Sequence, residues 1–343
     1  MDRVLEIGGY AAGFCGRLFV QSGYEVVRIE PPEPQSATTS WVSPDAMDLY
    51  LHPNKRRVRT SDAGLIAALA DQADIVVAQA PSADAIEDLG IDQWRSTVKV
   101  AITPFGRTGP KRNWNAASSV VLAMGGYTNL MGDQQRAPLT LPGHYPEFQS
   151  GTYAYIAAQA ARIDGPTRAI DIGMLEVVMS LSQFTTVMWH CAGKVRSRHG
   201  SDFWWVVPTN LFRCADGWVY LNIVPTFWDP FAMFIERPEI LLDERFMTND
   251  LRMTNRDALH AIIDEALAPL TRSEIQQRAT DARIPLGAVL TLDDVLADPH
   301  LNGRGVFQDV TGPDGESVRS PRPAWHIHGE PAPQLTLTEI ERG

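Results

Sequence analysis

Gly8-Gly9-Tyr10-Ala11-Ala12-Gly13 follows a short apolar run, Val4–Ile7, and opens a helix that reaches about Ser22. A glycine turn between strand and helix is where a nucleotide phosphate can meet backbone N–H groups. Glu25–Ile29 then reads as a second strand, and Glu30 stands where an acid could meet a ribose. The dinucleotide fingerprint, however, needs glycine in its middle position so that pyrophosphate can touch the chain. Tyr10 occupies that position, which argues against a nicotinamide enzyme. Lys55-Arg56-Arg57 offers cations suited to a phosphate monoester. Lys194, Arg196, Arg198 and His199 form a second basic run, but their glycine and polar neighbours read as a solvated linker. Glu147 follows Pro146 at a helix start, where a carboxylate answers the helix dipole and is kept ionised. His144, beside Gly143, could be a base or an ordinary loop residue. Cys15, Cys191 and Cys214 are scattered, with no CxxC or His/Cys cluster, so no metal site is expected.

The elements that must position these groups alternate. After the first β-α-β unit, Ser61 or Asp62 can cap a helix through Ala63–Ala73. Ile75–Val77 reads as a buried strand, Ala83–Ser96 as a helix, and Val98–Thr103 as another strand. That strand ends in the loop Pro104-Phe105-Gly106-Arg107-Thr108-Gly109-Pro110, and open α/β sheets bind ligands at such ends. Phe148–Ile163 is a helix rich in small residues and therefore central, followed by a strand at Arg168–Ile172 and a long buried helix at Leu175–Trp189. Beyond the polar stretch 194–201, Trp218–Ile223 reads as a strand, with helices at Arg256–Leu267, Arg272–Ala282 and Leu292–Ala297. Trp204-Trp205-Val206-Val207 reads as domain packing, and Pro321–Pro333 as an extended return of the tail.

The formal charge of −11 argues against nucleic acid or an anionic membrane as a partner. Val4–Val20 is interrupted by Glu6 and Arg17, so it is neither a signal h-region nor a membrane span, and the chain reads as cytoplasmic. A length of 343 residues favours two domains. The expected class is α/β: a Rossmann-like large domain with a parallel sheet, 1–200 rejoined by 303–343, and a smaller α+β domain, 205–302.

Several of these segments, in order, resemble the family III CoA-transferases, the carnitine and bile-acid CoA-transferase type to which α-methylacyl-CoA racemases are related. Ala12-Gly13-Phe14 is similar to the family's Ala-Gly-Pro turn, and Ile29-Glu30-Pro31-Pro32 to its Val-Glu-Pro-Pro strand end. Asn54-Lys55-Arg56-Arg57, Ala73-Asp74-Ile75-Val76-Val77 and Thr103–Pro110 resemble further family segments. So do Ala169–Glu176, Arg213–Trp218 and Pro285–Val289. The resemblance implies an enzyme that takes coenzyme A or an acyl-CoA as substrate with a small carboxylic acid. It also implies a homodimer of chains threaded like linked rings. The family's nucleophilic Asp heads the small-residue helix, and Glu147 in Pro146-Glu147-Phe148-Gln149-Ser150-Gly151 stands at that place. A carboxylate there attacks a thioester, forms an anhydride, and then holds CoA as an enzyme thioester. The resemblance further implies CoA contacts at Tyr10, Ala11, Ala12, Lys55, Arg56, Gln79, Gly106 and Gly109, while His144, three residues before Glu147, is read from the sequence alone as a possible base.

The chain departs from the family pattern in several places. Glu147 is one methylene longer than Asp, Phe14 replaces proline, and Ala11 replaces a polar residue common in transferases. Gln79-Ala80-Pro81-Ser82-Ala83 replaces the family's Asn-Phe-Arg-Pro-Gly. No His lies between Lys111 and Gly143, which disfavours the two-base chemistry of the racemase relatives. Two alternatives stay open beside CoA transfer. One is an isomerase, racemase-like or elimination reaction with Glu147 as general base; the other is a non-catalytic partner subunit.

Overall fold

A computed structural model describes residues 2–32, 44–163, 165, 167–203, 205–313, 315, 317–322, 324–325 and 334–343. Trp204 and most of the Pro321–Pro333 return lie outside these residues. The chain divides into two compact units, one of 1–129, 139–196 and 300–343, the other of 130–138 and 197–299. Segment 130–138 has no counterpart in the division expected from sequence.

The first unit is built on a parallel sheet. Its early strands are β1 (Arg3–Ile7), β2 (Glu25–Glu30), β3 (Arg56–Arg59), β4 (Ile75–Gln79), β5 (Val98–Thr103) and β6 (Arg168–Gly173). The connecting helices are α1 (Tyr10–Gln21), α2 (Pro44–Leu51), α3 (Ala63–Asp71), α4 (Ala83–Leu89), α5 (Ser118–Met124), a short α6 (Tyr127–Leu130) and α7 (Tyr145–Ile163). Strands β1, β4 and β5 are almost wholly buried because helices cover both faces of the sheet. Val4, Ile75, Val77, Val98 and Val100 pack against α1 and α7 on one face. Leu5, Val76, Ala78 and Ala101 pack with Ala70 of α3 and Ile86 of α4 on the other. The small residues of α7 bring it against α1: a Cβ on Gly151 would meet the Ala11 carbonyl oxygen at 2.5 Å.

Two helices differ from expectation. Leu175–Trp189 is not one buried helix but α8 (Met174–Ser180) and α9 (Gln183–Ala192). Between them, at Leu181 and Ser182, the Ser182 hydroxyl donates back to the Met179 carbonyl at 2.9 Å. Val187 and Trp189 of α9 are 55% and 62% exposed. Ala83–Ser96 likewise ends early, at Gly90, whose left-handed φ of 73° closes α4 ahead of a 3₁₀ turn over Ile91–Gln93.

The second unit carries the hairpin β7 (Thr209–Cys214) and β8 (Gly217–Asn222), with β9 (Leu286–Ala288) antiparallel to β8. Helices α10 (Trp228–Phe234), α11 (Asn249–Thr254), α12 (Arg256–Leu267), α13 (Arg272–Ala282) and α14 (Leu292–Ala297) follow, the last three at the places read from the sequence. Its core gathers Phe212, Val219, Phe231, Phe246, Leu259 and Ile275. Back in the first unit, β10 (Phe307–Thr311), β11 (Ser317–Pro321) and β12 (Leu335–Thr336) form a small sheet. The last strand, β13 (Ile340–Arg342), joins the edge of the large one, giving the order β13-β3-β2-β1-β4-β5-β6. The strand order reverses at β1, so a crevice opens between the carboxyl ends of β1 and β4, the place where such folds take ligands.

Candidate active site

The turn after β1 and the end of β4 meet at that crevice. Gly8 adopts φ +112°, and a Cβ there would lie 2.2 Å from the Gln79 carbonyl oxygen, so only glycine fits. Gly9, the N-cap of α1, has no side chain to satisfy the first helical N–H groups. Gln79 does so from β4: its Oε1 accepts from Ala11 N at 2.8 Å and Ala12 N at 3.2 Å. Ala11 and Ala12 thus lend their backbone donors to Gln79. The Gln79 amide NH₂ lies beside Gly9, where an added Cβ would meet it at 3.2 Å, and no described residue accepts a hydrogen bond from it.

Glu147 lies in the first turn of α7, 14% exposed at its side chain. Ser118, at the start of α5, donates its hydroxyl to Glu147 Oε2. His144 Nδ1 lies 3.6 Å from Oε1, too far for a hydrogen bond, and is buried without a partner among the described residues. The Tyr10 ring packs edge-on against His144, centroids 4.3 Å apart. Burial first, then the carboxylates of Asp48 and Glu147, raise the Tyr10 phenol above its ordinary pKa. Tyr10, His144, Glu147 and Ser118 therefore form one contiguous group beside the N-terminus of α1. Ser118 gave no sequence signal: it sits 29 positions from Glu147 in a stretch without a motif.

Phe14 also has a place. It stacks on Phe148, the residue after Glu147, with centroids 4.9 Å apart. Tyr50 of α2 continues the stack, under the guanidinium of Arg17 at 4.2 Å. Phe14, Phe148 and Tyr50 thus form an aromatic wall beside Glu147.

The loop after β5 is held open by two glycines with φ +80°, Gly106 and Gly109. Asp171 of β6 anchors it, accepting from Arg107 N at 2.8 Å.

The basic triplet is divided. Lys55 is fully buried, and its ammonium donates to Glu6 Oε2 at 2.5 Å, Gly13 O at 2.7 Å and His52 Nδ1 at 3.1 Å. All its hydrogens are thus spoken for, which removes it from the expected CoA contacts. Burial lowers its pKa to about 8, against the opposing pull of Glu6. Because Lys55 can only donate, His52 Nδ1 must accept, and the His52 proton sits on Nε2. Burial, reinforced by Arg28, Lys55 and Arg57, pushes the His52 pKa well below the usual value. Arg57 is buried too, bonded to Glu30 at 2.6 Å and Asp48 at 2.8 Å. Arg56 alone stays at the surface, side chain 49% exposed, in a bidentate pair with Glu341.

The sequence profile of CoA-transferase family III matches residues 2–337. The chain belongs to that family. It is 27% identical to a succinyl-CoA–D-citramalate CoA-transferase from Chloroflexus aurantiacus, over 91% of this chain and 83% of that one. It is 24% identical to a succinate–glutarate CoA-transferase from Agrobacterium fabrum, over 93% and 87%. A CAIB/BAIF family protein from Brucella suis shares the fold, with a TM-score of 0.83, 24% identity and coverage of 98% and 93%. The chain is accordingly an enzyme of the CoA-transferase class whose substrates are CoA thioesters. Among the described residues no group of three or more His, Cys, Asp or Glu could hold a metal ion. None of its described helices is long and apolar enough to cross a membrane.

Proposed function

We propose that this enzyme moves CoA from an acyl-CoA to a free carboxylic acid through a covalent intermediate on Glu147. The observation that carries the reading is the asymmetry of that carboxylate: Oε2 is bonded by Ser118, while Oε1 accepts no hydrogen bond from any described residue. A carboxylate oxygen with free lone pairs is a competent nucleophile. Oε1 attacks the thioester carbon, the C–S bond breaks, and CoA thiolate leaves a mixed anhydride. The thiolate then attacks Glu147 Cδ and expels the first acid, giving a glutamyl-CoA thioester. An acceptor carboxylate reverses the two steps and departs as the new acyl-CoA. His144 and Tyr10 flank the reacting oxygen. Tyr10, the free Gln79 NH₂, the Gly106–Gly109 loop and Arg56 hold CoA. Arg56 can exchange its exposed carboxylate partner for a phosphate at little cost, since such pairs contribute about 0–1 kcal/mol. The relatives named for succinyl-CoA, citramalate and glutarate favour dicarboxylic acids on both sides of the reaction.

The test pairs succinyl-CoA with a panel of mono- and dicarboxylic acids and follows new acyl-CoA by chromatography. Transfer to a dicarboxylate is expected, and no transfer to any acid overturns the reading. CoA itself should raise the melting temperature, because a ligand at about 100 times its Kd stabilises the native state by about 2.7 kcal/mol. No shift at millimolar CoA or acyl-CoA removes CoA as the ligand.

The cytoplasmic homodimer is part of the same proposal. Tyr153 and Ile156 of α7 and Val187 and Trp189 of α9 are 39%, 58%, 55% and 62% exposed, apolar area that a second copy would cover. Light scattering should give about twice 37.9 kDa, and a monomer at micromolar concentration contradicts the dimer.

A further inference from the structure

We infer that Ser118 is a catalytic residue, the oxyanion donor for the steps that take place at the side-chain carbon of Glu147. The inference rests on the proposed covalent route and adds a role that the route does not require. Ser118 Oγ donates to Oε2, and His144 stands off Oε1 at 3.6 Å. Once Oε1 has been acylated, Oε2 becomes the carbonyl oxygen of the anhydride. It remains the carbonyl oxygen of the glutamyl thioester.

Electron flow then singles out Oε2 twice. When CoA thiolate attacks Cδ, the C=O π electrons move onto Oε2 and a tetrahedral oxyanion forms. It collapses by breaking the Cδ–Oε1 bond, and Oε1 leaves with the first acid. When the acceptor carboxylate attacks the thioester, charge returns to Oε2 and the C–S bond breaks. No proton is gained or lost at Ser118 in either step. Its O–H meets a neutral carbonyl in each intermediate and an anion in each transition state, so the bond strengthens where the barrier lies. Ala117, the N-cap of α5, has no side-chain hydrogen bond to the helix, and Ser118 directs its hydroxyl across to α7.

The experiment compares Ser118→Ala, Ser118→Cys and Ser118→Thr in CoA transfer, with intact-mass detection of the Glu147 adduct. Ser118→Ala should lower kcat by about 10²–10³-fold, the loss for one oxyanion donor, with KM within a few-fold of the parent. The slow step should be formation and discharge of the glutamyl-CoA thioester in single turnover. Ser118→Thr keeps the donor and should retain most of the rate. Ser118→Cys keeps the volume with a weaker donor and should fall between, so the comparison survives if the alanine variant does not fold. A folded Ala or Cys variant with parental kcat overturns the inference while the parent's adduct leaves the covalent route standing. If the parent forms no adduct, the route itself fails and the inference fails with it.

Discussion

Glu147→Gln should abolish turnover while CoA still binds within a few-fold of the parent. The amide keeps the side chain's shape and its contact with Ser118, but it cannot form an anhydride. Loss of a covalent nucleophile commonly costs on the order of 10⁴–10⁶ in kcat. Hydroxylamine added during turnover of the parent should leave a hydroxamate on the peptide containing Glu147. Glu147→Asp keeps the carboxylate but shortens the arm, and the surrounding groups are spaced for the longer one: Ser118 already reaches Oε2, and His144 stands 3.6 Å from Oε1. Retraction by about one ångström should cost on the order of 100-fold in rate. An active Gln variant would reduce Glu147 to a helix-start residue contributing about 1 kcal/mol or less. An inactive Gln variant of an enzyme that never yields a trapped adduct would make Glu147 a general base, and the reaction an isomerisation or elimination.

The second large effect is on stability. Lys55→Met should destabilise the first unit by about 3–5 kcal/mol, the cost of leaving one member of a buried ion pair without its partner. Glu6 is fully buried and would keep only Arg28. The Gly13 carbonyl and His52 Nδ1 would lose their donor as well. The measurement is the denaturant midpoint of the full chain, followed by a probe in the first unit. Affinity for CoA in the folded fraction should be unchanged. A variant of parental stability that binds CoA weakly would return Lys55 to the phosphate contacts that its position beside Arg56 suggests.

What the sequence by itself determined is what depends on neighbours in the chain. The glycine turn after Val4–Ile7, the apolar strands and the order of the family segments are local patterns of period and residue type. So is the place of Glu147, because Pro146 and the small residues of α7 lie beside it. What only the tertiary structure decided depends on partners far along the chain. Lys55 reads as a surface cation until Glu6, 49 positions away, draws it into the core. The first backbone donors of α1, at Ala11 and Ala12, meet the side chain of Gln79, 68 and 67 positions on. The break between α8 and α9, at Leu181 and Ser182, is likewise absent from the local pattern, which reads as one helix. Ser118 meets Glu147 only because α5 and α7 start side by side. Residue type fixes what a group can donate, accept or neutralise; packing decides which partner it meets, and therefore whether it serves the core or the chemistry.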